Sequence, residues 1–494
     1  MALVDRLTSG FKAHLAAQVV FTVSNAALLI VFTRYLLSPT EYGLLNLALS
    51  VVGVAAIFGN LGLPKSTARY VTSYAETDPG QVPKILSRTF TYLLVLLVVA
   101  SVAFAALAPT IARLVETPAL LPLLLAGVGY VGFYSLYQYA VVVFQGLNRV
   151  TWSSAIRVVL SVSRLVFAVV FVLLGFGALG ALLGYVVGFA LAGVFGIVIL
   201  YTRFYTRFDH DDTLEAGLST RILRYSVPLT ATRSANVLDK KVDVILVGAL
   251  VNPLAVSYYA LAKQISGFLS MPAASLGFTI SPALAEQKAG DETERARHLY
   301  EQSLEHILLL YVPAAVGLAL VARPMIRLVF GAAYLGAVPV VQIFAAYVLV
   351  DTVNQITSDG LDYLGRANTR AVAKGVTALG NVGLNLLLIP TYGATGAAFA
   401  TVITYSIYTG VNVYAIHSEL GLHARRIAGH TGVVIAIAAA MALPVFVLLP
   451  RVSGFLTLAG VVALGGGVWA GLATATGHLD IRHVASYLTS STHD

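Results

Sequence analysis

Fourteen stretches of this chain each run apolar for about twenty residues, enough for a helix to cross the ~30 Å hydrocarbon core of a bilayer. That repetition constrains the fold more than any motif does. A segment in hydrocarbon must satisfy its backbone hydrogen bonds internally, so the expected class is an all-α polytopic membrane protein. The runs fall at 16–37, 43–63, 87–109, 121–145, 152–174 and 178–201, then at 228–250, 254–282, 303–322, 336–358, 370–390 and 393–415, and finally at 431–449 and 455–475. Composition agrees, since 58% hydrophobic and 11% charged residues over 494 positions exclude an ordinary soluble protein. The first run follows Arg6 and Lys12 and ends at Arg34-Tyr35 without a small-residue cleavage site, which predicts a retained helix rather than a signal peptide. With no cysteine, disulfides, thiolate metal sites and thiol catalysis are excluded.

A net charge of +8 is compatible with nucleic-acid binding, but the basic residues are scattered over many short loops, and no nucleic-acid partner is expected. Membrane topology explains them better. With the N-terminus inside, cytoplasmic segments carry 20 of the 31 basic residues, including Arg6, Lys84, Arg221, Lys374 and Arg482, and outer segments carry 5. The asymmetry predicts cytoplasmic N- and C-termini in a cell (plasma or inner) membrane.

The chain also repeats itself. Leu37-Ser38-Pro39 lines up with Val251-Asn252-Pro253 at an offset of 214, and Gly177-Ala178-Leu179-Gly180-Ala181 with Gly393-Ala394-Thr395-Gly396-Ala397 at 216. Gly146 and Gly365 open comparable segments. The expected organisation is two six-helix lobes, 1–202 and 228–416, joined by a cytoplasmic linker at 203–227 and followed by two further helices and a tail at 417–494. Because six is even, the copies share an orientation and are related by an axis along the membrane normal, with substrate bound between lobes.

Against this apolar background the stretch from Arg233 to Asp243 stands out, with Arg233, Asp239, Lys240, Lys241 and Asp243 inside an expected span. Arg233 and Lys240 share a helix face at seven residues' spacing, and Asp243 neighbours both Lys240 and Asp239. Each such group costs roughly 2.5–3.5 kcal/mol at the bilayer centre, which points to a cavity or substrate path. A structural ion-pair cluster and an interfacial helix whose span begins near Val242 fit the same residues. Arg157 and Arg164 repeat the seven-residue spacing on the fifth span, and their repeat positions fall near Asn381 and other uncharged residues, marking the stripe as particular to the first lobe. Arg157 lies near enough to the surface to snorkel. Asp351, with Asn354, Gln355 and Asp359, makes one end of the tenth span polar, as cavity lining or as a hydrated terminus.

The ordered set Arg34-Tyr35-Leu36-Leu37-Ser38-Pro39-Thr40-Glu41-Tyr42-Gly43, Gly365-Arg366-Ala367-Asn368 and Asn381-Val382-Gly383-Leu384-Asn385, leading to Pro390-Thr391-Tyr392-Gly393, resembles the Wzx-type polysaccharide flippases of the multidrug/oligosaccharidyl-lipid/polysaccharide exporter superfamily. The resemblance covers nearly the whole chain. It implies a V-shaped transporter that moves a polyprenyl-(pyro)phosphate-linked oligosaccharide to the outer leaflet by alternating access. The partners implied are that substrate and membrane lipids, with glycosyltransferases and a polymerase of the same pathway, around a monomeric carrier without cofactor. Arginine forks and lysine point charges suit phosphate oxygens, so Arg34, Arg164, Arg233, Lys240 and Lys263 are the candidate headgroup contacts. Asp239, Asp243 and Asp351 are candidates for ion pairing or coupling.

Other signals carry less. Gly175-Phe176-Gly177-Ala178-Leu179-Gly180 fits GxGxxG but joins two spans, so a tight turn is expected. The ten histidines include no metal-binding pair on an HExxH helix, and His210 sits in an acidic loop, so no metal is expected. Tyr134, Tyr137 and Tyr347 are candidate sugar-stacking platforms among 25 tyrosines. Two other functions compete: a cation-coupled multidrug antiporter, disfavoured by the scarcity of acidic residues in spans one to six, and a membrane enzyme on lipid-linked sugars, disfavoured by short outer loops.

Overall fold

The computed structural model describes residues 3–207, 213–289 and 292–479, with side chains at 10–206, 213–273, 286, 292–362 and 364–479. His210 and its acidic neighbours, and Arg482 in the tail, lie outside the described residues. The described chain is helical throughout, without strands. The helices are α1 (Leu3–Val31), α2 (Pro39–Phe58), α3 (Leu63–Thr77), α4 (Gln81–Leu114), α5 (Leu120–Gly146), α6 (Val150–Phe171), α7 (Gly177–Arg203), α8 (Leu218–Leu250), α9 (Pro253–Ala289), α10 (Thr293–Met325), α11 (Val338–Tyr363), α12 (Ala367–Leu420), α13 (Ala424–Leu448) and α14 (Phe455–Ala475).

Each of the fourteen expected spans coincides with helix. α3 is an additional amphipathic helix between the second and third spans, and α12 holds two spans in one 54-residue run. A straight helix of that length would reach about 80 Å, far beyond a bilayer. It does not run straight, because Gly393 takes φ 59°, ψ −138°, and Asn381 Nδ2 donates to Thr404 Oγ1 at 3.2 Å across the bend. Gly177 takes nearly the same backbone angles, φ 52°, ψ −134°, where α6 folds back along α7. This region is open essentially to glycine alone. The two turns are one device used twice, and the GxGxxG stretch is the tight turn expected.

Helix starts repeat as well. Ser38 caps α2, with Ser38 Oγ accepting from Glu41 N at 3.3 Å and Glu41 Oε2 accepting from Ser38 N at 2.9 Å, and Pro39 follows. At the equivalent place Asn252 Oδ1 accepts from Ala255 N at 2.9 Å ahead of Pro253. Between α5 and α6 the positive-φ residue is Asn148 (φ 54°), and between α11 and α12 it is Gly365 (φ 78°). Arg149 and Arg366 then cap the following helices. The partner of Gly365 is therefore Asn148 rather than Gly146, because the repeat follows the turn geometry and not the residue type.

The chain packs as two compact units, Met1–Ser257 and Tyr258–Asp494. α8, which opens the second copy in the sequence repeat, packs on α2 and α3 of the first unit. Its contact is close: a Cβ on Gly248 would sit 2.5 Å from Leu47 Cδ1, and Lys241 lies across Gly53, Cε 3.6 Å from a Cβ there. In the second unit α13 and α14 are fastened to α10. Arg426 spans Glu305 at 2.9 and 3.1 Å, His423 N donates to the buried Glu301 at 2.7 Å, and Trp469 Nε1 donates to the Leu309 carbonyl at 2.9 Å. Among the described residues ten helical runs are long and apolar enough to cross a membrane, two of them being the double runs 150–203 and 367–420. α8 is not among the ten, because its charges interrupt it. Valines 95, 98, 99 and 102 of α4 are exposed, as a lipid-facing stripe requires.

Candidate functional site

In the first unit, the site grows from α6. Gly184 and Gly188 let α7 lie against α6 so closely that a Cβ on Gly188 would meet Arg164 Cβ at 2.9 Å. That approach, with α1 on another side, buries Arg164 to 6% exposure. Its Nη2 donates to Asn25 Oδ1 at 2.6 Å, and its guanidinium lies 5.4 Å from the Phe21 ring centre and 5.1 Å from that of Tyr185. No carboxylate pairs with it among the described residues, and its buried Nε has no hydrogen-bond partner. Arg157, two turns away on the same face, is partly buried and also has a buried Nε without a partner. Both arginines lie within electrostatic reach of Tyr137.

Tyr137 belongs to an aromatic group. Tyr130 and Tyr134 stack at 5.6 Å, and Phe189 packs against Tyr130, Tyr134 and Tyr137 at 4.9, 5.2 and 5.3 Å. Arg233 of α8 reaches this group, Nη2 donating to Tyr134 Oη at 2.9 Å. It is half-buried within a continuous helix from Leu218 to Leu250, which belongs to the first unit rather than the second. Asp243 is buried at 2%, Lys240 is exposed, and Asp239, Lys240, Lys241 and Asp243 all carry polar or electrostatic partners. Arg34 is exposed in a π-turn (Phe32–Leu36) at the end of α1 and is not brought to Arg164 by any described hydrogen bond or ion pair.

In the second unit an aromatic ladder runs between two lysines. Lys263 Nζ lies 5.5 Å from the Tyr259 ring, followed by Tyr259–Phe344 (5.3 Å), Phe344–Tyr347 (5.4 Å), Tyr347–Tyr405 (5.0 Å) and Tyr405–Tyr408 (5.8 Å). Lys374 Nζ caps the far end, 4.8 and 4.9 Å from the last two rings. Asp351, one turn past Tyr347, is buried at 8%. Gln355 Nε2 approaches its Oδ2 at 3.4 Å, and the hydroxyls of Ser270 and Tyr405 face it. Asn354, which accepts from Asn412 Nδ2 at 2.9 Å, belongs to a buried polar cluster on the same helix.

Sequence reasoning missed Lys374, Tyr405, Tyr130 and Phe189. The signal for Lys374 was available: with Arg149 set opposite Arg366, Arg157 falls opposite Lys374, so the basic stripe recurs in part in the second copy. Pairing Gly146 with Gly365 by residue type hides this.

The model of a family described as polysaccharide biosynthesis protein matches residues 31–339. An uncharacterized membrane protein of Methanocaldococcus jannaschii, MJ1375, is 24% identical over 409 residues, covering 80% of this chain and 94% of that protein. A Haloferax volcanii protein, the probable low-salt glycan biosynthesis flippase Agl15, is 23% identical over 180 residues, 36% of this chain and 38% of that one. Among solved structures, the lipid II flippase MurJ in an inward closed conformation superposes with a TM-score of 0.75 at 16% identity, covering 95% of this chain and 98% of that one. An inward-facing multidrug resistance MATE transporter gives 0.68 at 15%, covering 83% and 95%. At these identities the two structures show a shared fold.

Proposed function

The chain belongs to the polysaccharide biosynthesis protein family, and from that premise we propose that it is a Wzx-type flippase carrying a polyprenyl-(pyro)phosphate-linked oligosaccharide across the membrane. The observation that carries this reading is the pair Arg157 and Arg164, two cations on one face of a membrane helix, each with an unpartnered Nε. A buried cation without a counter-ion costs several kcal/mol, and a fold keeps it where an anion arrives to repay that cost. A phosphate diester or pyrophosphate between an apolar tail and a glycan is such an anion, and a guanidinium fork suits its oxygens. Arg233 on Tyr134 stands beside them as the second headgroup contact, with Lys240 as a further one and Asp239 and Asp243 as pairing groups on the same helix; Lys263 is the separate candidate of the second unit. The names of Haloferax relatives, the probable flippases Agl15 and AglR, support the same reading. On this reading the chain acts as a carrier.

The test is glycan export in cells whose own copy is deleted. Arg164→Ala should lower surface glycan about tenfold or more, with the protein at normal level in the membrane. Undiminished export would remove the arginines from the mechanism.

A further inference from the structure

The repeat gives each unit one version of the same site, and the residues exchanged between the versions decide what each can hold. With Arg149 set opposite Arg366, Tyr130 falls opposite Tyr347 and Arg157 opposite Lys374, and the Gly177–Gly393 register sets Phe189 opposite Tyr405. The packing follows the alignment, since Tyr130–Phe189 and Tyr347–Tyr405 lie at 4.9 and 5.0 Å. Two exchanges break the likeness. Tyr134, which accepts from Arg233, becomes Asp351, and Arg164 becomes Asn381, whose amide is tied to Thr404. The first version is cationic, with unpartnered guanidinium nitrogens. The second balances one lysine with one carboxylate and adds Gln355, Tyr405 and Ser270.

We propose that the second unit's site, Lys374, Asp351, Gln355, Tyr347 and Tyr405, binds a neutral glycan rather than a phosphate; this rests on the flippase reading above. A phosphate offers acceptors only, and Asp351 repels it. A pyranose offers hydroxyls that both donate and accept, with a face of C–H groups. Asp351 takes the donated hydrogens, while Lys374 and Gln355 supply donors to the hydroxyl oxygens. The electron-rich faces of Tyr347 and Tyr405 receive the C–H edge. A site of mixed donors and acceptors also selects, because a sugar lacking the matching hydroxyl leaves buried polar groups unpaired.

Thermal-shift titration of the full chain in detergent tests this with two probes, sodium pyrophosphate and a panel of neutral disaccharides (maltose, cellobiose and diacetylchitobiose). At least one sugar should raise the melting temperature at millimolar concentration. The ratio of sugar to pyrophosphate affinity should fall about tenfold in Asp351→Asn and Lys374→Met, and rise about tenfold in Arg164→Gln. Tyr405→Phe, which keeps the ring, gives the same direction of change if either charge variant fails to fold. A ratio that rises in Lys374→Met would make the second site another anion site and overturn the proposal. Arg164-dependent pyrophosphate binding with no sugar response overturns the glycan assignment but leaves the phosphate reading standing. Absence of response to either probe removes both.

Discussion

Arg164 shows how far one side chain's role depends on its surroundings. Its guanidinium lies beside two aromatic rings and donates to Asn25, while its Nε is left over. A lysine keeps the charge but has no planar fork to fill these contacts together. Arg164→Lys should therefore export little more glycan than Arg164→Ala, and equal export by Lys and Arg would show that charge alone matters. Glu215, in the connection before α8, makes the opposite kind of contact, an exposed one. Tyr74 donates a hydrogen bond that holds its carboxyl below the usual carboxylate range, against a smaller opposing effect of burial and with further help from Arg221. A depressed folded value means the linker's attachment is present above the ordinary carboxylate pKa and is lost as pH falls through the lowered one. Amide exchange at residues 213–217 should thus stay protected at pH 5 and lose protection only below about pH 4, where Tyr74→Phe should lose it at higher pH. A Tyr74→Phe profile identical to the natural one would show that the contact does not hold the linker.

At the level of helices and turns, glycines set the geometry for different reasons. Gly393 has no neighbour that a Cβ would strike, but its backbone angles are closed to other residues, so Gly393→Ala should cost about 1–3 kcal/mol of stability. Gly43 has the reverse problem: a Cβ would fall 1.7 Å from the Pro253 carbonyl oxygen, where the capped starts of α2 and α9 meet. Backbone cannot yield there, and Gly43→Ala should abolish recovery of folded protein. Gly380→Ala, in open helix, should instead be neutral or stabilising. Melting temperatures and folded yields in detergent rank the three, and a ranking that puts Gly380 first would refute the argument. Much of this level was legible in the chain. Ser38-Pro39 and Asn252-Pro253 line up in the repeat, as do the Gly177 and Gly393 turns. What was not legible was the pairing of Asn148 with Gly365, because different residues there solve the same backbone requirement. That single shift concealed Lys374, although Asp351 and Tyr347 of the same site stood out in the chain.

At the scale of the molecule, the apolar pattern located the helices, since hydrocarbon leaves the backbone no alternative to helix. It did not reveal that α8 packs with the first unit. The sequence repeat assigns α8 to the second copy, whereas packing follows complementary surfaces such as Gly53 under Lys241 and Gly248 against Leu47. Orientation in the membrane is a separate matter, set by where the basic residues lie. The turn carrying Arg149 and the segment carrying Lys84 and Arg88 belong inside on the positive-inside argument, while the α4–α5 connection at Glu116, flanked by one arginine, belongs outside. The chain has no native cysteine, so single cysteines can be introduced without a background. In intact cells an impermeant maleimide should label Glu116→Cys and leave Asn148→Cys and Gly365→Cys unlabelled until the membrane is opened. Because Asn148 and Gly365 occupy equivalent places in two six-span copies, they must fall on the same side. Labelling of one without the other would break the parallel repeat, and reversal of all three would keep the repeat while inverting the orientation.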